Sequence, residues 1–472
     1  MNKIIPDIIE DSMDTRIKMD ADLFDVLKQL ALTVKKTIDE DISNGTIQPE
    51  EEVYLKWKVD KFQYTDTGIT DYGSHSEYIT KPSWFKATHK IQESIQNSKE
   101  FCSALEELNS IFGKSDTLSH NLEKFVGRFI HQCLYNSRFE EIEIDIVIAT
   151  FLKDLREEPV KYGTRVELEG IVLQPERIEI AEGITLRQPH IEDLEKEFPE
   201  HSFMISRFMP PPSAILNIEF LGRHVNEIQR RVGQAIAILR LFKVGSAKYS
   251  TYNIYSDSMT DIMAMGTLSS HDISAALETS LITLEDAPKL KNFWLKMSNS
   301  IPNSFYDIGI TKADYTTIAY NRYSDGLLQS GILERRIANA IMGLEALYFK
   351  PEGEMQELAY RLRIRISKLL GLLGYDPHEI KERINDAYGI RSIFMHGGHL
   401  DYRKKRKLDS KYKDVKTLLL SVLDYLRISI ILNMLILKEK EEFIDLIDDS
   451  LIDRIKEEQL ILVISGMKEF IR

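Results

Sequence analysis

The pattern of apolar and polar residues changes character near residue 285 of this 472-residue chain. Before that point, runs with apolar residues at helical spacing are interleaved with runs of strictly alternating residues, which are typical of half-buried strands. The pattern predicts helices over 20–42, 89–112, 118–136 and 224–242, and strands over 139–149, 213–223 and 248–256, with an antiparallel meander over 164–189. We therefore expect an α+β region in residues 1–285.

After residue 285 the alternating pattern disappears and helical spacing remains. It predicts helices over 287–301, 327–349, 354–374, 376–388, 412–440 and 443–471. Asp376 and Pro377 form a typical helix start, and Gly374 ends the preceding helix. Short connections between such helices favour an all-α antiparallel bundle.

The chain is too long for one ordinary core, which favours two or three domains. We expect an α+β region over 1–285, a helical domain over 300–440 and a C-terminal helix over 441–472. The first region divides again near Pro159 or near residue 210, where "MPPP" forms a rigid joint.

Composition narrows the class of protein. Cys102 and Cys133 have neither zinc-type nor disulfide-scaffold spacing, which suits a reducing compartment. No apolar run approaches the ~20 residues that a membrane span needs, so we expect a cytoplasmic protein without membrane contact. Glycine-rich nucleotide-binding signatures and the GxSxG motif are absent, and we expect no cofactor.

The charge of the chain is unevenly distributed. The net charge is −13, but residues 310–440 carry 23 Lys and Arg against 16 Asp and Glu, a net of +7, which leaves −20 for the remainder. A basic C-terminal portion is compatible with a polyanion such as RNA, although such asymmetry is also common in large proteins.

The segment "AYGIRSIFMHGGHL", residues 387–400, places a strong cation, Arg391, five residues before a titratable imidazole, His396. A histidine can move a proton on or off a ribose 2′-OH, and a guanidinium can stabilise charge on a phosphate. Ser392 can hold a phosphate oxygen, while Ile393, Phe394 and Met395 are expected to anchor the helix. The alternative is a helix-end histidine before a glycine cap.

The same segment resembles the Arg-polar-x3-His motif of the HEPN superfamily, the higher eukaryote and prokaryote nucleotide-binding domains. "ERRIANAIMGLEALYF" and "ELAYRLRIRISKLLG" resemble the first helices of its Apea-like branch, with Glu345 in the "LEAL" setting. The resemblance covers roughly residues 315–438. The stretch that begins at "VELEGIVL" resembles, more loosely, the strand-rich segment that often precedes this domain.

The resemblance implies a metal-independent endoribonuclease in which Arg391 and His396 are catalytic, Ser392 is the preferred polar residue and Glu345 orients one of the pair. It also implies a homodimer whose two motifs share one cleft, and a toxin or anti-phage effector that responds to a phage-derived or cellular trigger. Some members of the superfamily are non-catalytic binding or adaptor modules, and that alternative stays open.

A basic segment follows the motif directly. An electrostatic track for RNA and a solvated loop between two helices are both compatible with it. Tyr402 and Tyr412 can stack on bases in the first interpretation. Its five consecutive cations are Arg403, Lys404, Lys405, Arg406 and Lys407.

Three further clusters favour ordinary structure. Glu141, Glu143 and Asp145 would share one face of the predicted strand, where a metal-dependent enzyme could use them, but a solvated strand face explains them better. His399 lacks a third ligand near His396. Alternating arginines on a predicted helix are expected at its surface, namely Arg361, Arg363 and Arg365.

Overall fold

The computed structural model describes most of the chain. The described residues are 5–135, 141–199, 211–261, 267–269, 278–306, 313–328, 331–350, 357–436 and 438–467, with side chains from residue 21 onward except at 141–142, 198–199 and 267–269. They form an N-terminal α+β region and a C-terminal helical region.

Five helices near the N-terminus pack around a core of their own. The predicted helix over 89–112 is divided at Ser98, whose hydroxyl accepts a hydrogen bond from the Phe101 amide and caps the second half. The helices are α1 (Ile5–Ser43), α2 (Phe85–Gln96), α3 (Lys99–Phe112), α4 (Asp116–Tyr135) and α5 (Glu141–Leu155).

The predicted strand over 139–149 is wrong, because residues 141–149 lie in helix α5; residues 139 and 140 lie outside the described part of the chain. Its alternating apolar residues also satisfy helical spacing, and Ile144, Ile148 and Phe151 are fully buried. Ile146, which the strand pattern would place on the same face, is 61% exposed. Burial of one helical face therefore prevails over the local alternation.

A long hairpin follows α1. Strands β1 (Glu50–Thr65) and β2 (Gly68–Ser83) pair antiparallel, and the short β7 (Lys196–Pro199) pairs with the other edge of β1. No element is predicted from sequence for these residues, although every second residue of β1 from Val53 to Val59 is apolar; in β2, polar side chains occupy both faces. Strand β2 forms one edge of this three-stranded sheet.

A six-stranded antiparallel sheet confirms the predicted strands over 213–223 and 248–256. The prediction over 164–189 is right for strands and wrong for a meander, because of these strands only Arg177–Ala181 and Ile184–Arg187 pair with each other. The strand order of the sheet is β10-β9-β3-β8-β6-β5. A separate parallel pair joins β4 (Ile171–Leu173) to β11 (Ser280–Ile282). The six strands are β3 (Val160–Glu169), β5 (Arg177–Ala181), β6 (Ile184–Arg187), β8 (Ala214–Gly222), β9 (Lys248–Ser256) and β10 (Thr267–Ser269).

Helices cover the apolar face of the six-stranded sheet. The predicted helix over 224–242 is confirmed as α7 (Asn226–Phe242), which packs on β3, β8 and β9. Helix α8 (Asp286–Met297) packs on α7 and on β5. The short α6 (Ile191–Leu194) precedes β7.

The C-terminal region is helical, as predicted, but three elements differ in extent. The helix expected over 327–349 belongs to two helices, one ending at Leu328 and the next beginning at Leu333, the helix from residue 376 continues to Met395, and residues 440–465 form two helices; residues 468–471 of the last predicted helix lie outside the described residues. The helices are α9 (Tyr315–Leu328), α10 (Leu333–Tyr348), α11 (Leu358–Leu372), α12 (Pro377–Met395), α13 (Tyr402–Tyr412), α14 (Val415–Leu435), α15 (Lys440–Asp449) and α16 (Arg454–Ser465).

Helix α14 is the centre of this bundle. Among the described residues it is the one helix long and apolar enough to cross a membrane, and it is mostly buried inside the protein. Packing against α9, α10 and α12 accounts for its apolar surface.

The buried apolar residues form two clusters. The smaller one joins α1–α5 and includes Met259, whereas the larger one runs from Val160 to Met467 and is continuous across residue 285. Arg427 on α14 donates hydrogen bonds of 2.8 and 3.1 Å to the Leu241 and Phe242 carbonyls at the end of α7. The six-stranded sheet and the bundle therefore share one core, and along the chain the boundary between the two clusters lies near Pro159, with Met259 as the exception.

Candidate active site and nucleic-acid interface

Helix α12 carries the residues of the motif. Its predicted start is confirmed, since the Asp376 carboxylate accepts a 2.9 Å hydrogen bond from the His378 amide and Pro377 occupies the first turn. Its inner face buries Ile380, Ile384, Ala387 and Ile390. This packing leaves Arg391 and Ser392 half-buried on the last turns of the helix.

The glycine pair behind His396 closes the helix. The Gly397 amide donates to the Phe394 carbonyl and the Gly398 amide to the Ile393 carbonyl, each at 2.9 Å, with Gly397 at φ +76°. These two bonds define a Schellman cap, in which the residue after the helix adopts the left-handed conformation that glycine tolerates. His396 is the C-cap residue itself. The glycines therefore have a structural role, and they fix the point at which the histidine leaves the helix.

Arg391 is held by Glu345 from the neighbouring helix α10. The Nη2 of Arg391 donates a 3.1 Å hydrogen bond to Oε2 of Glu345, and its Cζ lies 5.6 Å from the ring centre of Tyr388. Its Nη1 makes no hydrogen bond to a described residue, and about a quarter of the side chain is exposed. One terminal nitrogen is thus fixed by the protein while the other is available to an anion.

Burial of Glu345 raises the pKa of its carboxyl above the ordinary range, and the opposing charge of Arg391 and hydrogen bonds from Arg391 and Tyr388 limit that rise. Burial, with the charge of Glu345, also raises the pKa of Tyr388. Tyr388 was not singled out from sequence. Its spacing of three residues before Arg391 on one helix face is a signal that could have found it.

His396 is exposed, and its imidazole makes no hydrogen bond within the described part of the chain. Ser392 contacts it through the backbone only, since the Ser392 carbonyl accepts a 3.2 Å bond from the His396 amide. The prediction that Ile393, Phe394 and Met395 anchor the helix is wrong in part, because the first two are half-buried and Met395 is 50% exposed. This end of α12 thus presents apolar surface beside the histidine.

An open groove of about 560 Å³ lies beside the Arg391 cluster. Tyr388 forms one wall, and the first turn of α11 supplies the rest, including Tyr360 and Arg363. The ring of Tyr360 is 49% exposed and lies 5.2 Å from the Arg363 guanidinium, which donates a 2.7 Å bond to Asn385. An exposed aromatic ring beside a cation suits the flat face of a nucleobase.

The basic segment from Arg403 to Lys407 was expected to lie in a loop. That prediction is wrong, because the segment lies in helix α13. Asp401 caps the helix by accepting a 2.7 Å hydrogen bond from the Lys404 amide. All five cations from Arg403 to Lys407 are exposed, and none pairs with an acid in the described residues. Tyr402 is 77% exposed beside them. The segment is therefore a rigid helix with unpaired positive charge.

Tyr412, predicted to stack on bases, is buried at the end of α13. Its hydroxyl donates a 2.6 Å hydrogen bond to Asp386, and burial together with this bond raises its pKa to about 12. The Lys411 ammonium pairs with Glu382 and Asp386, at 2.6 Å each. Tyr412 thus anchors the basic helix to α12 instead of meeting a ligand.

The expectation that the arginines of α11 lie at the surface is wrong for Arg365. Its side chain is almost fully buried, donates 2.8 and 2.6 Å bonds to the two oxygens of Asp448, and reaches the Tyr348 carbonyl at 2.6 Å. Arg365 therefore ties α15 to the bundle.

The alternative metal site does not assemble. Glu143 and Asp145 lie on helix α5, where two residues of separation is about 200° of rotation, and Asp145 pairs with Lys28 at 2.9 Å. No group of three His, Cys, Asp or Glu in the described ranges is arranged to hold a metal ion.

A larger cavity, about 730 Å³, lies over the outer face of the six-stranded sheet. Its strongest polar groups are engaged with one another, since Glu219 pairs with Lys161 at 3.1 Å and accepts a bond from Tyr255. Arg391, with one terminal nitrogen that has no hydrogen bond to a described residue, is therefore a better candidate for binding an anion than this cavity.

In comparisons with known proteins, no family model matches the chain, and no curated protein or solved structure is significantly similar to it.

Proposed function

We propose that the protein is a HEPN-type, metal-independent endoribonuclease whose active site is formed by Arg391 and His396. The observation that carries this proposal is the Arg391 guanidinium. Glu345 holds one of its terminal nitrogens at 3.1 Å, the other has no hydrogen bond to a described residue, and the exposed His396 and the unpaired basic helix follow within sixteen residues along the chain.

The chemistry uses the substrate's own nucleophile. The 2′-oxygen attacks the adjacent phosphorus as its proton passes to a base, and the bond from phosphorus to the 5′-oxygen breaks as that oxygen gains a proton. The products are a 2′,3′-cyclic phosphate and a 5′-hydroxyl. His396 carries one of these proton transfers, and Arg391 stabilises the charge on the phosphate oxygens. Ser392 assists in holding the phosphate.

The basic helix supplies affinity without sequence preference. Arg403, Arg406 and Lys407 share one helix face at spacings of three and four, and Lys404 and Lys405 widen it. Contacts of this kind with RNA phosphates release counterions, so binding is expected to weaken steeply as salt rises. Tyr402 and, in the groove, Tyr360 offer rings on which unpaired bases stack.

Two copies are proposed to join through the apolar end of α12, around Met395, so that the two motifs face one cleft. We further propose a regulated cytoplasmic toxin or anti-phage effector, restrained by its N-terminal region until a phage-derived or cellular trigger appears. Because the larger core crosses residue 285, truncation before Pro159 is the cleaner test of that restraint.

The test compares the parent chain, His396→Ala and the control His399→Ala, each incubated with cellular RNA in EDTA. His399 is also exposed and lies three residues away. We expect cyclic-phosphate ends with the parent and with His399→Ala, and about 10²–10⁴-fold slower cleavage with His396→Ala.

A specific observation favours a second candidate, a non-catalytic RNA-binding or adaptor module: no hydrogen bond orients the His396 imidazole in the single chain. That candidate predicts RNA binding that survives His396→Ala, and no cyclic-phosphate ends either with purified protein or in cells that express it.

A further inference from the structure

The outer edge of the β1–β2 hairpin is an unusually long open strand. Strand β2 spans 16 residues, and β1 is its one neighbour among the described strands. From Asp71 onward its pairing with β1 is regular on the β2 side, since the one bulged residue there is Thr70. Such an edge presents a row of free backbone donors and acceptors, which proteins usually cover, shorten or protect with charge.

The charges on β2 are arranged symmetrically about Ser76, with opposite signs. His75 and Glu77 lie one residue to either side of it, and Asp71 and Lys81 lie five residues to either side. These are the four titratable acidic and basic residues of the strand. Their spacings are all even, so they project from the same face of the sheet.

We propose that β2 is a self-association edge, on which the β2 strand of a second copy of this chain pairs antiparallel with Ser76 opposite Ser76. In this register each Asp71 faces the Lys81 of the other copy, and each His75 faces its Glu77. The two three-stranded sheets then join into one. A two-fold interface of this kind uses the same surface on both copies.

Neighbouring registers lose this complementarity. Shifting the centre to His75 places the two histidines opposite each other, and shifting it to Glu77 opposes two carboxylates. Like charges directly opposite destabilise a strand pair, whereas opposite charges stabilise it. The charge pattern therefore selects one register, which backbone pairing alone would not.

The other residues of the strand suit the same arrangement. Tyr72 and Tyr78 are 39% and 66% exposed in the single chain, and the proposed register sets them against Thr80 and Ser74 of the second copy. Pro82, which lacks a backbone donor, falls opposite Thr70 at the margin of the ladder, where the loss of one bond is tolerated.

Three of the four residues already contact a residue of opposite sign within the chain, and none of these partners lies on β2 itself. Glu77 contacts Lys58 at 2.7 Å and His75 contacts Asp60 at 2.8 Å, both on the β1 side. Lys81 contacts Glu197, while Asp71 has no ion-pair partner among the described residues. Pairing between copies would extend these contacts into a row of alternating charge.

The first experiment places one cysteine at the symmetry centre. In full-length protein carrying Cys102→Ser, Ser76→Cys is compared with the control Thr80→Cys under mild oxidation. Directly opposite residues have Cα atoms about 4.5–5.5 Å apart, within disulfide range, whereas two copies of position 80 would lie about 27 Å apart along the strands.

We expect a disulfide-linked dimer with Ser76→Cys only. Equal yields from both variants, or a yield no greater than that of the Cys102→Ser parent, would overturn the proposal. Because the cross-link reports this edge alone, the result is independent of any dimer formed by the helical bundle.

A charge exchange tests the register. We expect Asp71→Lys to lower the Ser76→Cys cross-linking yield several-fold, as should Lys81→Asp, and the double variant to restore it. The double variant also lacks the Lys81–Glu197 contact, so recovery cannot come from that contact. Equal yields from Asp71→Lys and the double variant would contradict the pairing of residue 71 with residue 81.

Discussion

At the scale of single residues, the end of α12 shows one short segment meeting two demands. The Gly397–Gly398 cap satisfies the last carbonyls of the helix, while His396 emerges exposed at the cap position. The alternative interpretation of His396, as a histidine at the end of a helix before a glycine cap, thus describes its position correctly. It does not compete with the proposed chemistry, because an exposed imidazole at a fixed helix end is what a proton transfer requires.

Substituting alanine for two glycines of this segment should have opposite effects. Gly397→Ala must adopt a left-handed conformation and is expected to cost about 1 kcal/mol of unfolding free energy. Gly389→Ala, in the same helix, should stabilise by about 0.5–1 kcal/mol, because neither position is crowded. Urea denaturation measures both, and the same sign for both would contradict the assigned cap.

The groove residue Tyr360 should distinguish single-stranded from double-stranded RNA. Loss of a stacking ring costs about 1–3 kcal/mol per base, so Tyr360→Ala should weaken binding of a single-stranded oligonucleotide by about 5- to 150-fold. Tyr360→Phe, which keeps the ring, should bind nearly as the parent does. Fluorescence anisotropy measures the affinities, with the remote exposed Tyr78→Ala as control. Unchanged affinity in Tyr360→Ala would exclude the groove.

At the scale of elements, the carboxylate of Asp193 joins α6 to the six-stranded sheet. It accepts hydrogen bonds from Arg165 at 2.9 Å, from Arg187 at 2.8 Å and from the His190 amide at 2.7 Å. Burial would raise the pKa of this carboxyl, but the bonds from Arg187 and His190 and the two arginine charges lower it to about 2.

This lowered pKa predicts a pH-dependent contribution to stability. The folded protein releases the Asp193 proton more readily than the unfolded chain, so the contribution of about 2 kcal/mol is present above pH 4 and is lost as pH falls toward 2. Asp193→Asn should therefore be less stable than the parent at pH 7, and the difference should narrow over that window. Urea midpoints at pH 7, 4 and 2.5 test this, and a constant difference would argue against it.

Sequence patterns predicted the elements whose burial is one-sided. The strands within 164–189, β8, β9, α7 and the start of α12 follow from periodicity and from caps such as Asp376, whereas the neighbours of each strand in the sheet do not. The pattern failed where two periods coincide, as in α5, whose Ile144 and Ile148 fit both. An apolar period was overlooked in β1, where every second residue from Val53 to Val59 is apolar, and it is absent from β2, where polar side chains occupy both faces.

The candidate site was predictable as residue types but not as geometry. Arg391, His396 and the basic segment are visible as a motif and a charge run. Glu345 lies 46 residues from Arg391, and spacing alone does not state that the two touch. The burial of Tyr412 and Arg365 was missed because each depends on one distant partner, Asp386 and Asp448 respectively.

At the scale of the whole molecule, the two hydrophobic clusters should unfold as separate units. Arg427 stabilises the larger one, because it is buried, pairs with Asp424 at 2.8 Å and donates to two carbonyls of α7. Its removal leaves those groups without partners, which costs about 3 kcal/mol.

Arg427→Met should therefore raise amide hydrogen exchange in the sheet and bundle that form the larger cluster while leaving helices α1–α5 as protected as in the parent. The control Arg454→Met, at a side chain that is 89% exposed, should change neither. Mass spectrometry of peptides from the exchanged protein provides the measurement. A uniform rise over both clusters would show that the chain unfolds as one unit.

The continuous core also limits how this gene can recombine. A crossover near residue 285 would separate α14 from the α7 carbonyls that Arg427 binds, and both products would carry uncovered apolar faces. A crossover beside Pro159 keeps the sheet and the bundle together, but it separates Met259 from the cluster of α1–α5 and β7 from β1, and the bonds of Asp154 to the Met259 and Thr260 amides would have to be rebuilt. Lineages that exchange parts of this protein should thus vary in the N-terminal helices and inherit the sheet and bundle together.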